Sequence, residues 1–124
     1  MNDEPQDLNP RTQTFALRII RMYSKLSKND AVAQVLGRQV LRSGTSVGAN
    51  YREAQRGRSK AEFTSKIGDC LKEIEETGYW LELLTESGCV KPKRMANLLD
   101  ETSQLTAIFT TIDKNSKSAK SAAL

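Results

Sequence analysis

Glycines inside a helix constrain this chain more than anything else in it. The stretch RSGTSVGANYREAQRGRS, Arg42 to Ser59, sets Gly44 and Gly48 within a long amphipathic segment. Glycine in a helix interior costs roughly 0.5–1 kcal/mol relative to alanine. Something must offset that cost, most simply a second backbone approaching closely or a ligand lying against the helix. Gly37 and Leu41 extend the pattern, so Gly37, Leu41, Gly44 and Gly48 form a nearly smooth lane about 80–140° from Leu36. Gly44-Thr45-Ser46-Val47-Gly48 is a small-x-x-x-small pattern that lets helices pack closely. As a phosphate loop it is poor, because the Lys-Ser/Thr of such a loop is missing and no strand precedes it.

The apolar periodicity predicts four helices and no period-two strand. Helix one is expected from Thr12 to Lys28, with Phe15, Ile19, Met22, Tyr23 and Leu26 inward. Asn29 and Asp30 break it, and can cap helix two, expected from Ala31 to Arg56. There Val32, Leu36, Val40, Ser43, Val47, Asn50, Tyr51 and Ala54 share one arc. Gly57 suits a left-handed C′ position, and Ser59-Lys60-Ala61-Glu62 reads as a capping box. Helix three then runs to Ser87 with Phe63, Ile67, Cys70, Leu71, Ile74, Gly78 and Leu81 inward, and Gly88 ends it. Pro92 opens helix four, which buries Met95, Leu98, Thr102, Leu105, Phe109 and Ile112. The expected domains are a flexible arm over residues 1–11, a bundle over 12–113 and a disordered tail over 114–124. Short connections make successive helices antiparallel, which gives an all-α, up-down-up-down four-helix bundle.

Composition removes much chemistry. The chain has no histidine. That excludes histidine bases, nucleophile–histidine dyads and Glu-x-x-His di-iron sites. Cys70 and Cys89 lack the spacing of a metal knuckle or redox pair, and read as free thiols in a reducing compartment. Glu73 and Glu76 lie one turn apart beside Lys72, which suits ion pairing better than catalysis. The expectation is no enzyme, no metal and no cofactor. No apolar run is long enough to span a membrane, and the acidic start Met1-Asn2-Asp3-Glu4 does not read as a signal peptide, so a cytoplasmic location is expected.

Charge is uneven along the chain. Residues 1–60 carry 11 Lys+Arg and 5 Asp+Glu, a net of +6; residues 61–124 carry 8 and 10, a net of −2. Arg38, Arg42, Arg52 and Arg56 fall within about 80° of one another on helix two, away from its core, with Arg58 following. Such a face can track phosphates, or it can be solvated or paired. Helix three offers the pairing, since Glu62, Asp69, Glu73 and Glu76 form a stripe running into Trp80 and Leu83. Tyr79, Trp80 and Leu83 around one turn suggest contact with another chain.

Three segments together resemble a known family. LRSGTSVGANYREA (Leu41–Ala54), RGRSKAEF (Arg56–Phe63) and CLKEIEETGYWLELL (Cys70–Leu84) resemble the bacterial four helix bundle proteins, often called 23S rRNA intervening-sequence proteins. The resemblance extends over residues 15–112. It implies a four-helix protomer, a homopentamer and no established catalytic activity. A loosely related protein, the accessory variability determinant of diversity-generating retroelements, implies a basic barrel that binds nucleic acid and a reverse transcriptase.

These readings give one expectation and one rival. The first is a non-enzymatic homo-oligomeric scaffold that binds RNA or DNA through Arg38, Arg42, Arg52, Arg56 and Arg58. Its subunit contacts would use Gly37, Leu41, Gly44, Gly48, Glu73, Glu76, Tyr79, Trp80 and Leu83. The rival is a protein–protein adaptor in which a neighbour's acidic stripe takes up the arginines.

Overall fold

The computed structural model describes residues 7–122. Four helices follow one another: α1 (Leu8–Ser24), α2 (Ala31–Gln55), α3 (Lys60–Glu86) and α4 (Pro92–Ala122). No strand occurs among the described residues, so the all-α bundle expected from the periodicity is the one that forms. Residues 1–6 of the expected arm and 123–124 of the expected tail lie outside the described residues.

The helix starts are set by short polar side chains. Asp7 accepts from the Asn9 amide at 2.9 Å, Asp30 from Ala33 at 3.1 Å, and Ser59 from Glu62 at 3.1 Å. Each occupies an amide that the first helical turn leaves without a partner. Glu62 reaches back as expected, but to the Arg58 amide at 2.7 Å, one residue before the cap. Gly88, at φ 85°, closes α3 in the left-handed region. Gly57 does not adopt that conformation, contrary to the sequence reading. A β-carbon there would meet the Ala54 carbonyl at 3.1 Å and the Phe63 amide at 3.2 Å, so close approach is what favours glycine.

Cross-helix contacts establish the antiparallel order. Ser43 faces Thr77 and Glu53 faces Lys66 between α2 and α3. Gly48 faces Thr12 and Gly37 faces Tyr23 between α2 and α1. Thr64 shares a hydroxyl contact with Ser116 between α3 and α4. The core they enclose includes Phe15, Ile19, Val40, Val47, Ile67, Ile74, Leu81, Met95, Leu105 and Phe109, all fully buried. Each such side chain contributes about 1.5–3 kcal/mol of burial free energy. Tyr51 and Phe109 add an edge-to-face pair with centroids 6.0 Å apart.

Three boundaries differ from the sequence reading. α1 begins at Leu8, not Thr12, because Pro10 falls in the first turn, where its missing amide costs nothing, and Leu8 is buried. α1 also ends at Ser24, short of Lys28, and the chain turns so that Leu26 enters the core. α4 continues helical through residues 114–122, where a disordered tail was expected. The first turns of α3 need a partner, and Asp113 and Ser116 of α4 supply it opposite Gly68 and Thr64.

Val32 was expected inside, yet it is 54% exposed, while Ser43, only about 20° from it around the helix, is fully buried. Position along α2 decides the difference: the Ser43–Thr77 register carries Val32 past Glu86, the last residue of α3. Ala33, Gly37 and Gly44 are buried as well, and α1 lies against the two glycines.

Candidate functional site

The glycine lane is the seam between α1 and α2. A β-carbon at Gly37 would stand 2.5 Å from Leu26 Cδ1. At Gly44 it would stand 2.9 Å from Ile19 Cγ1, and at Gly48 3.0 Å from Thr12 Oγ1. The lane therefore packs helices closely, as the small-residue spacing implied, but within one chain. The assignment of Gly37, Gly44 and Gly48 to a subunit contact is corrected, because residues of the same chain lie against all three.

On its other side α2 is joined to α3 by polar groups. Thr77 donates to Ser43 Oγ at 2.8 Å, with both residues fully buried. The Cys70 thiol points at the Val47 carbonyl at 3.6 Å, and burial pushes that thiol up to about 12. A group so placed is inert as a nucleophile near neutral pH. At the rim Arg42 bridges two carboxylates, Glu73 at 3.2 Å and Glu76 at 2.8 Å. The hydrogen bond to Glu76 leads in pushing the guanidinium further up from its usual value. Lys66 likewise joins Glu53 at 2.8 Å and Asp69 at 4.0 Å.

Arg42 is thus paired inside its own chain, and so are Glu73 and Glu76, which the sequence reading had offered to a neighbour. Arg52 donates to Gln13 at 3.0 Å. Arg38, Arg56 and Arg58 are exposed, with no carboxylate at ion-pair distance among the described residues. Arg38 and Arg56 share one outward face and lie about 27 Å apart along α2 at 1.5 Å per residue.

The apolar patch is larger than its sequence signal. Tyr79 is 55% exposed and meets Trp80 edge-on, with centroids 5.0 Å apart. The Trp80 indole nitrogen is buried without a hydrogen-bond partner among the described residues. The Ser43–Thr77 register brings Val35 and Leu36 beside the turn that carries Leu83. Val32 and Val35, each 54% exposed, extend the patch onto α2. Val32 was expected in the core, and no local signal marks Val35 as part of this patch.

Sequence reasoning also missed a cluster of five cations at one end of the bundle. Arg18, Arg21 and Lys25 close α1, and Lys91 and Arg94 open α4; all five line one cleft. They are far apart in sequence, and only the antiparallel pairing of α1 with α4 brings them together. The basic run Lys91-Pro92-Lys93-Arg94 was the one local signal available. No group of three or more potential metal ligands occurs among the described residues. No helix among them is long and apolar enough to cross a membrane.

The fold and its faces define a class: a small all-α four-helix bundle whose polar side chains either clasp neighbouring helices or project from them. The chain belongs to the family described as 23S rRNA-intervening sequence protein, whose model matches residues 7–111. It is also similar to a crystallised protein of unknown function from the S23 ribosomal protein family of Bacteroides thetaiotaomicron VPI-5482. The two are 36% identical with a TM-score of 0.79, over 86% of this chain and 95% of that one. No curated protein matches significantly.

Proposed function

We propose that this protein is a non-catalytic, self-associating scaffold that binds nucleic acid, RNA foremost, through phosphate contacts. One observation carries the reading. The acidic stripe of α3 is occupied within the chain by Arg42 and Lys66, while Arg38, Arg56 and Arg58 keep outward charges. The adaptor alternative needs a neighbour's carboxylates for those arginines, and Glu73, Glu76 and Asp69 already have partners. The family's description as an rRNA intervening-sequence protein points the same way.

Arginines on one straight helix face follow phosphates without reading bases. Binding is therefore expected to be weak in sequence preference and steep in salt. Self-association, pentameric by resemblance, would use the patch of Val32, Val35, Tyr79, Trp80 and Leu83, which is apolar enough to favour burial.

The test pairs RNA binding with sedimentation. Arg38→Gln/Arg56→Gln/Arg58→Gln should keep the assembly, lower RNA affinity and flatten the dependence of log affinity on log salt. Val35→Glu should shift the parent assembly to smaller species while helicity stays. If the parent binds no RNA even at low salt, the adaptor reading replaces this one.

A further inference from the structure

At one end of the bundle α1 and α4 stand apart, leaving a cleft of about 870 Å³. Its rim carries Arg18, Arg21, Lys25, Lys91 and Arg94, and no carboxylate lines it among the described residues. The acids nearby have other partners. Glu101 accepts two hydrogen bonds from Arg11, at 2.9 and 2.7 Å. Asp30 caps α2 and faces the Cys89 thiol at 3.8 Å. The C-terminal end of α1 and the N-terminal end of α4 carry opposite partial charges side by side, so these largely offset. Glu101 is close enough to Arg18 for their charges to interact, so Arg21, Lys25, Lys91 and Arg94 chiefly set the positive field of the cleft, which favours an anion from outside.

The floor is aliphatic. Met22, Leu26, Val90 and Leu98 line it, and Leu26 and Leu98 are each only 6% exposed. A low-dielectric floor strengthens the pull of the rim on charge. Three of the five cations are guanidinium forks, which match phosphate oxygens two at a time. No aromatic side chain lines the cleft, so it offers no stacking platform for bases.

We propose that this cleft is a phosphodiester site that seats the backbone of single-stranded RNA. The inference rests on the nucleic-acid reading above and adds a contact on a different face from the α2 arginines. The cleft carries its own probe. Cys89 lines it and is half-buried, whereas Cys70 is fully buried in the core.

The test uses the full chain with a short oligouridylate. Alkylation of Cys89 by N-ethylmaleimide, followed by mass spectrometry, should slow several-fold when the RNA is added at low salt and recover at high salt. Arg21→Gln/Arg94→Gln should weaken RNA binding by about tenfold or more. It should also reduce the salt slope by about 1.4, at about 0.7 for each phosphate that the variant no longer neutralises. If RNA binds while Cys89 reactivity and the variant's affinity match the parent's, the cleft proposal falls and the α2 reading stands. If the parent binds no RNA, both fall. If the variant dissociates into smaller species with its helicity intact, the cleft is a subunit contact and the proposal is overturned. Protection of Cys89 by polyglutamate as strong as by RNA of equal charge would assign it to an acidic peptide instead.

Discussion

Helix α1 has two seams, and they are built on opposite principles. Against α2 it meets a lane of glycines, and Ile19, Tyr23, Leu26 and Thr12 sit where β-carbons would otherwise be. Against α4 it is fastened by Arg11, which bridges Glu101 at 2.7 Å and Gln104 at 2.8 Å, and then opens into a cationic cleft. The first seam is closed by shape and has no room for a ligand. The second is held by charge and leaves five cations facing an opening. Close packing fixes architecture because a dense interior tolerates no added volume. A seam fastened by polar groups at one end can stay open at the other, and binding surfaces arise there.

The largest effect should come from overfilling the tight seam. Gly44→Leu places a side chain where a β-carbon alone is 2.9 Å from Ile19, and should cost at least about 1–3 kcal/mol in urea unfolding. Parental stability would mean that α1 does not lie against α2 as described.

Next comes the clasp of the open seam. Arg11 holds Glu101 below the usual carboxylate range, chiefly by its hydrogen bonds. A depressed folded-state value contributes stability above the unfolded value, and that contribution is lost as pH falls through the folded one. Arg11→Ala should therefore cost about 0.5–1 kcal/mol near neutral pH. The gap from the parent should narrow as pH drops from about 5 to about 3. Thermal melts across that range measure it, and a gap constant with pH would assign Arg11 a packing role alone.

Glycine outside the tight seam supplies the contrast. At Gly78 a β-carbon would meet Thr102 Cγ2 at 3.5 Å, an ordinary contact. Gly78→Ala should stabilise by about 0.5–1 kcal/mol, because a helical alanine replaces a floppy residue without strain. Gly44→Ala should destabilise despite the same gain in propensity. If both move the melting temperature in one direction, the distinction between fitted and incidental glycines is wrong.

The smallest effect belongs to the cleft rim. Arg21 and Arg94 are exposed, so Arg21→Gln/Arg94→Gln should leave unfolding free energy within about 0.5 kcal/mol of the parent. A larger loss would show that the rim supports the fold.

Much of this was legible from residue order. Ser59, Glu62, Asp30 and Gly88 act through neighbours a few positions away, so caps and stops could be read locally. Phe15, Ile19, Ile67, Ile74, Leu105 and Phe109 repeat at helical spacing, so the inward faces of three helices could be read as well. The spacing of Gly37, Gly44 and Gly48 announced a close approach. Nothing local names the approaching helix, which is α1 of the same chain and not a second subunit.

What escaped the sequence follows from the same limit. Val32 continues an apolar arc, but in the Ser43–Thr77 register it lies beyond the end of α3 and is left exposed. Residues 114–118 are polar, yet α4 continues through them, and Ser116 meets Thr64 of α3. Arg38 and Arg42 are both exposed on one face of α2, and only the register of α3 pairs Arg42 with carboxylates while Arg38 has no ion pair among the described residues. Arg18, Arg21, Lys25, Lys91 and Arg94 converge only after α4 returns beside α1. Helical period, caps and charge are properties of neighbouring residues and survive in a string of letters. Which face meets which partner depends on contacts between residues dozens of positions apart, and packing alone decides it.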